Sequence, residues 1–146
     1  QIIYNNSKIT FINDSKATTF ASTINILKSL KKVFWLVGGI GKLGDKFTLK
    51  KKECYNIRAY VYGKNKNFFT RQFKNKLSYR CFKDLKSAVK QVLNETNNSR
   101  DNLHKTVLFS PSAASFDSFK NFEERGEYFN FLLKKYKVKE TINGIR

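Results

Sequence analysis

The chain alternates between short apolar runs and longer stretches in which apolar residues recur at helical spacing. Three runs predict buried strands of a parallel sheet: Ile9–Ile12, Val33–Val37 and Thr106–Phe109. Each run ends in a loop of small or polar residues, and a helical pattern follows the first and the third loop. This succession of strand, loop and helix is typical of α/β domains.

Weaker patterns fill the middle of the chain. The predicted elements there are strands at Arg58–Tyr62 and Tyr79–Cys81 and helices at Leu49–Tyr55 and Phe68–Leu77. A further amphipathic helix is predicted by apolar residues at positions 85, 88, 89, 92 and 93, ahead of a polar loop over 94–102. Repeated strand and helix units imply a mostly parallel sheet with helices on both faces. Right-handed crossovers then place the loops that follow the strands at one edge, where such domains bind ligands.

The first of these loops, Asn13–Thr18, carries a lysine and a carboxylate. A helix is predicted after it from residues at helical spacing, namely Phe20, Ile24, Leu27, Leu30 and Lys31. We expect the loop to present a helix N-terminus with free backbone N–H groups and partial positive charge. Lys16 adds a full charge, and Asp14 adds a carboxylate able to accept ribose hydroxyls, hold a cation or orient the lysine.

The second loop, Gly38–Asp45, is rich in glycine and contains Lys42. It resembles a phosphate-binding loop without matching one. The Walker pattern requires a glycine where Leu36 stands and Ser or Thr where Leu43 stands. The loop is therefore not predicted to be an ATPase motif.

The third loop opens the block Ser110–Gly126, which holds the only proline of the chain. Small side chains over 112–115 are expected to let backbone N–H groups approach a bound group closely. Asn121 is the predicted N-cap of the helix that follows, with Glu124 at its third position. One face of that helix is expected to anchor it in the core through Phe122, Phe129, Leu132, Leu133 and Tyr136.

Composition changes this interpretation little. The chain of 146 residues is long enough for one domain, 1–146, and we expect a piece of a longer protein because it starts at Gln1 and lacks methionine. Cys54 and Cys81 lack metal-ligand spacing and are predicted to be buried free thiols of a reducing cytoplasm, and His104 a surface residue. No metal site and no membrane partner are expected.

The net charge of +18 raises nucleic-acid binding as a function. The lysines are scattered through every segment, however, and no RNA-binding signature or arginine cluster accompanies them. Aromatic residues fall mostly at core spacing, which is not the arrangement of stacking platforms. A non-catalytic basic α/β module that binds RNA therefore remains an alternative, but no nucleic-acid partner is predicted.

Taken together, Asn13–Thr18, Gly38–Lys42 and the block Ser110–Gly126 resemble the C-terminal domain of the UDP-N-acetylmuramoyl-L-alanine:D-glutamate ligases, the MurD family. Their order and spacing match over about Ile9 to Leu133, and Phe-Lys-Asn-Phe-Glu-Glu-Arg-Gly at 119–126 is the most specific segment. The resemblance implies a Rossmann-like three-layer domain with about six strands, one of them antiparallel. A tail at 137–146 has no counterpart in the family pattern.

The resemblance also implies a function in peptidoglycan synthesis in the bacterial cytoplasm. The family transfers the γ-phosphate of ATP to a substrate carboxylate, and the amine of D-glutamate attacks the acyl phosphate. ATP, Mg²⁺ and UDP-N-acetylmuramoyl-L-alanine would be held largely by domains outside this chain, which is expected to be monomeric, free of bound cofactor and inactive alone. A ligase domain of the same superfamily with another amino-acid acceptor is a further alternative.

Site residues follow from the same resemblance. Lys42 corresponds to the family lysine that pairs with a D-glutamate carboxylate, and Thr18 and Ser115 are implied donors to the same ligand. Phe116 and Phe122 match positions that line the pocket.

Two more positions are implied to face the nucleotide. Lys16 corresponds to the family lysine near the γ-phosphate and is the implied catalytic residue, and Asp14 approaches the nucleotide. The glycine-rich loop has Ile40 where the family often has a second polar residue.

A titration followed by amide NMR separates these alternatives. D-glutamate should perturb the amides near Thr18, Lys42 and Ser115 more strongly than L-glutamate or a diamino acid does. RNA binding would instead be steeply dependent on salt and centred on other residues.

Overall fold

The computed structural model describes residues 1–116 and 118–145, with side chains as far as Tyr136. The strands are β1 Ile2–Asn5, β2 Ile9–Asn13, β3 Val33–Gly38, β4 Ile57–Tyr62, β5 Ser78–Phe82 and β6 Lys105–Phe109. They form one six-stranded sheet in the order β1-β2-β6-β3-β4-β5. Only β1 runs antiparallel to its neighbour among these strands, so the expected mostly parallel sheet is confirmed.

The helices are α1 Phe20–Ser29, α2 Lys66–Phe73, α3 Leu85–Asn97 and α4 Phe122–Ile145. Side chains of β3 alternate between the two faces of the sheet, since successive residues of a strand point to opposite sides. Trp35 packs with α1 and α2 in one buried cluster, and Leu36 packs with α3 and α4 in the other. The predicted three-layer α/β fold is therefore confirmed.

Several element boundaries differ from those predicted. Helix α1 ends at Ser29, because Leu30 adopts an extended conformation, so Lys31 lies outside the helix. Helix α2 ends at Phe73, short of Leu77, because Asn75 adopts a left-handed conformation with φ of 65°.

Three further differences concern segments with weak or missing apolar patterns. The helix predicted over 49–55 is a single 3-10 turn at Lys51–Glu53. Helix α3 extends to Asn97, into the region predicted as a loop. The edge strand β1 was not predicted, because its apolar run Ile2–Tyr4 is only three residues long and stands at the start of the chain, and the strand is mostly exposed.

The prediction of two buried thiols is half correct. Cys54 is buried and its burial raises the pKa of the thiol. Cys81 is exposed, because β5 lies at the edge of the sheet and is exposed along most of its length. His104 is exposed as predicted, with Nε2 of its ring 2.8 Å from the Thr10 hydroxyl.

The prediction that Phe122 anchors the start of α4 is wrong. Phe122 is 39% exposed because it is the first residue of the helix, at the sheet edge. Phe129, Leu132 and Leu133 are buried as predicted, and Tyr136 is partly buried. The predicted N-cap is confirmed, because Asn121 Oδ1 accepts a hydrogen bond of 2.8 Å from the Glu124 amide.

An ion-pair cluster closes the opposite, amino-terminal end of the sheet. Asp101 accepts hydrogen bonds of 2.7 Å from both Lys32 and Lys105. The Lys105 side chain is only 7% exposed, so its charge depends on this carboxylate for compensation. The two ammonium groups, Lys105 first and then Lys32, hold the pKa of Asp101 well below its usual range.

This cluster predicts a measurable acid sensitivity. An aspartate in an unfolded chain titrates near pH ~3.9. Because the folded pKa is lower, the carboxylate contributes its full stabilisation above that pH and loses it as the pH falls through the folded pKa. Urea midpoints of the wild-type chain should therefore fall more steeply below about pH 4 than those of the Asp101→Asn variant.

Lys32→Met, which removes one of the two partners, should give an intermediate slope. Parallel curves for all three proteins would contradict the prediction.

Candidate functional site

Three loops meet at the carboxyl edge of the sheet because β2, β6 and β3 are adjacent and parallel. The segments are residues 14–19, 39–45 and 110–121. The expectation that they share one edge is confirmed. They are also joined directly by backbone hydrogen bonds, which the sequence did not indicate.

The first and third loops are joined at two levels. The Asp14 amide donates to the carbonyl of Phe109 at 2.7 Å, which extends the pairing of β2 with β6 by one residue. The Ser112 amide donates to the carbonyl of Ala17 at 3.1 Å. Ser112 adopts a left-handed conformation with φ of 61°, so this buried residue holds a conformation that costs energy in most contexts.

The second and third loops are joined in the same way. The Gly38 amide donates to the carbonyl of Pro111 at 3.2 Å, and Ile40 and Ala114 exchange two hydrogen bonds of 2.9 and 3.0 Å. Gly39 adopts φ of +121°, and a β-carbon there would lie 2.4 Å from the carbonyl oxygen of Ala114. This position therefore requires glycine.

Arg125 connects the helix α4 to the first and the third loop. Its guanidinium donates through Nη1 to the carbonyl of Ala113 and through Nη2 to the carbonyl of Ser15, each at 2.8 Å. The residue is fully buried. Gly126 allows the helix to approach, since a β-carbon there would lie 2.3 Å from the Ser15 hydroxyl.

Beneath the loops lies a buried group of hydroxyls. Thr23 Oγ1, on α1, lies 2.6 Å from the hydroxyls of Ser110 and of Ser112. The Ser110 hydroxyl donates to Asp14 Oδ2 at 2.8 Å, and the Ser110 carbonyl accepts from the indole of Trp35 at 2.7 Å. The end of β6 is thus tied to α1, to β3 and to the first loop.

Two of the amides in the first turn of α1, which were expected to be free, already donate hydrogen bonds within the protein. The Asp45 carboxylate accepts from the Phe20 amide at 2.9 Å, and the Thr19 hydroxyl accepts from the Ser22 amide at 3.2 Å. A carboxylate from the second loop thus already occupies the positive end of the helix. These two amides are therefore not available to an anion.

The residues predicted to form the site differ in exposure. Lys16, Thr18 and Lys42 are exposed, Asp14 is partly buried, and Ser115 is buried. Each lies in one of the three joined loops, and Thr18 directly follows Ala17, whose carbonyl accepts from the third loop. Their roles stay predictions.

The two aromatic residues predicted to line the pocket are exposed. Phe116 is 72% exposed and Phe122 is 39% exposed. Ile40 and Leu43 of the glycine-rich loop are exposed as well. The edge therefore presents apolar side chains beside its lysines.

Sequence reasoning missed three residues that position the loops. Besides Arg125 and Asp45, Asn65 accepts from the Gly41 amide at 2.9 Å through its side chain. A β-carbon at Gly41 would lie 2.1 Å from the ring of Phe68, so the second loop is packed against α2. No local pattern marks these contacts, because each joins residues that are far apart in the chain.

Two cavities lie away from the loop residues that are predicted to bind ligands. One of about 650 Å³ lies at the amino-terminal end, beside Lys8, Arg100 and Lys105. The other, of about 240 Å³, lies between Tyr62 and Tyr128. Neither is lined by Thr18, Lys42 or Ser115, so the hollow expected between them also stays a prediction.

Among residues 1–116 and 118–136, whose side chains the structure describes, no group of three or more His, Cys, Asp or Glu is able to bind a metal ion. Nor does any helix in this described part of the chain combine the length and the apolar composition needed to cross a bilayer.

Arg125 bridges the first and third loops through two hydrogen bonds, so its substitution is predicted to lower the stability of the fold. Arg125→Met leaves the carbonyls of Ser15 and Ala113 buried without this donor, and we expect a loss of about 2–4 kcal/mol of unfolding free energy. Arg125→Lys should recover only part of it, because an ammonium lacks the planar fork that reaches both carbonyls. Arg71→Met, at an exposed position on α2, is the matched control and should stay within about 0.5 kcal/mol of wild type in urea unfolding. Equal losses at the two positions would refute the bridge.

Comparison with known proteins identifies relatives of the chain. No protein family model matches it. The UDP-N-acetylmuramoylalanine--D-glutamate ligase of Rickettsia conorii is 35% identical over 144 residues, which are 99% of this chain and 29% of the relative. Ligases of the same name from the Wolbachia of Brugia malayi and from Francisella philomiragia are 36% and 35% identical over 94% of the chain and 27% and 33% of their own lengths. The chain thus spans about three-tenths of the curated relatives it matches. As its motifs predicted, it is a domain-length relative of the UDP-N-acetylmuramoylalanine--D-glutamate ligases.

Proposed function

We propose that this chain is the C-terminal domain of an ATP-dependent ligase that adds D-glutamate to UDP-N-acetylmuramoyl-L-alanine in peptidoglycan synthesis. The observation that carries the proposal is the joining of three loops, from three adjacent parallel strands, at one edge of the sheet. The relatives bear the name of this ligase over nearly the whole chain. The loops that meet are those whose motifs suggested the family.

In this proposal the second loop and its neighbours bind D-glutamate. Lys42 pairs with a carboxylate of the amino acid, and Thr18 and Ser115 donate hydrogen bonds to the same ligand. Phe116 and Phe122 cover its apolar stem. A dicarboxylate held at both ends would have its amine aimed in one direction, which is the main contribution that positioning makes to an attack on a carbonyl.

The first loop faces the nucleotide. Lys16 is exposed and can neutralise charge on the phosphoryl group as it is transferred, which stabilises a phosphoryl-transfer transition state. Asp14 presents its carboxylate from the end of β2 to the nucleotide. ATP supplies the phosphoryl group that activates the substrate carboxylate when it is bound.

The remaining parts of such a reaction are assigned to other domains. The described residues include no cluster suited to Mg²⁺, and the glycine-rich loop lacks the Walker pattern. We therefore assign the Mg²⁺ ligands, the phosphate-binding loop and the UDP-sugar site to other parts of the enzyme. The isolated chain would be an inactive monomer, and the whole enzyme a protein of the bacterial cytoplasm.

Substitution of Lys42 tests the assignment in a full-length ligase that contains this domain. Lys42→Met removes the cation that pairs with the D-glutamate carboxylate, so we expect the KM for D-glutamate to rise about ten- to hundredfold. The KM for ATP should change little. Steady-state kinetics with each substrate varied in turn gives both values.

The matched control is Lys46→Met, which removes an exposed lysine four residues further along. It should leave the KM for D-glutamate within about twofold of wild type. A loss of about 1.4 kcal/mol of binding free energy would raise that KM tenfold. An equal effect at both positions would show that general charge, and not a specific pair, attracts the substrate. A variant that gains activity with L-glutamate or a diamino acid would favour another acceptor.

A further inference from the structure

Four polar side chains form a continuous hydrogen-bonded chain under the carboxyl edge of the sheet. Thr23 of α1 contacts the hydroxyls of Ser110 and Ser112 at 2.6 Å each, and Ser110 contacts Asp14 Oδ2 at 2.8 Å. Thr23, Ser110 and Ser112 are 0% exposed. Water therefore does not compete for these groups, and each hydroxyl depends on its protein partners.

The number of protons fixes the direction of this chain. The Ser110 hydroxyl donates its single proton to Asp14 Oδ2. Ser110 then has only lone pairs to offer, and Thr23 must donate to it. The proton of Thr23 is now used, so the Ser112 hydroxyl is the donor in its 2.6 Å contact with Thr23, and the Ser110 carbonyl at 3.2 Å is its second, more distant acceptor. The order is Ser112 to Thr23 to Ser110 to Asp14.

Each member of the series also sits on fixed backbone. The Ser110 carbonyl accepts from the Trp35 indole, and the Asp14 amide donates to Phe109. The Ala17 amide in turn donates to the carbonyl of Asp14 at 3.0 Å. With its backbone held at both ends, Asp14 keeps only the rotation of its own side chain, and the Ser110 hydroxyl restrains that rotation. Successive hydrogen bonds that point the same way polarise and strengthen one another.

We propose that Thr23 is a positioning residue, which acts through Ser110 to hold the Asp14 carboxylate in the orientation that meets the nucleotide. This inference rests on the proposed nucleotide-facing role of Asp14. Thr23 itself is buried and touches no ligand. Its contribution is to keep the Ser110 proton directed at Asp14, because without a donor from Thr23 the Ser110 hydroxyl is free to turn.

The test compares Thr23→Val and Thr23→Ser in the full-length ligase. Valine keeps the size of threonine and removes the hydroxyl, whereas serine keeps the hydroxyl. We expect Thr23→Val to raise the KM for ATP about tenfold, because the Asp14 carboxylate is then less well oriented toward the nucleotide. The KM for D-glutamate should stay near wild type, and Thr23→Ser should restore the KM for ATP. A purely structural role would lower the yield or melting temperature without this split between substrates.

A double-mutant cycle with Asp14→Ala shows whether Thr23 acts through Asp14. In the Asp14→Ala background, Thr23→Val should have no further effect on the KM for ATP. If Asp14→Ala raises that KM and Thr23→Val does not, the inference about Thr23 is overturned and the proposed role of Asp14 stands. If Asp14→Ala leaves the KM for ATP unchanged, both fail. Should Thr23→Val not fold, Ser110→Ala, which removes the donor itself, must produce the same rise in the KM for ATP, and an unchanged value overturns the inference.

Discussion

The pairing of β6 with a parallel strand on each side is the constraint on which the candidate site depends. Phe109, the last residue of β6, lies opposite Asn13 of β2 and opposite Leu36 of β3. The three loops therefore leave the sheet almost level with one another. A shift of one residue in this register would turn every side chain of β6 to the other face and separate the loops. Phe109 opposes such a shift, because it is fully buried and stacks on Phe129 at 4.5 Å.

Polar groups just beyond the ends of these strands hold the three loops together. Immediately after Phe109 the chain continues through small residues. The first of them, Ser110, forms hydrogen bonds with Thr23 of α1, Trp35 of β3 and Asp14 of the first loop. The guanidinium of Arg125 also joins the first and third loops, because it donates a hydrogen bond to a carbonyl of each. Removing any one of these groups leaves others buried without a partner, which makes the edge a cooperative unit.

The strands and the helix α3 could be predicted from the sequence because their apolar residues repeat at a fixed spacing. The central strands β3 and β6 are buried on both faces and give continuous apolar runs, whereas β1 is mostly exposed and its short run Ile2–Tyr4 was missed. The meeting of the three loops followed from the direction of parallel strands. The contacts of Asp45 with Phe20 and of Arg125 with Ser15 could not be foreseen, because they join residues separated by 25 and 110 positions. The lysines at 16 and 42 were marked by their motifs, but the hollow predicted among Thr18, Lys42 and Ser115 would depend on loop geometry that no local pattern encodes.

The hydrogen bonds of the backbone amides at this edge bear on the kind of anion that the proposed site would bind. In a phosphate-binding loop, several free N–H groups converge on the ligand. Here the amides of Gly38, Ile40 and Gly41 donate to partners within the protein, and so do those of Ser112 and Ala114. The first turn of α1 is likewise capped by Asp45. In the proposed site an anion would therefore be bound without these amides, mainly by the side chains of Lys16, Lys42 and the nearby hydroxyls. Such discrete charges match an amino acid with two separated carboxylates better than a polyphosphate chain, which agrees with assigning the phosphate-binding loop to another part of the enzyme.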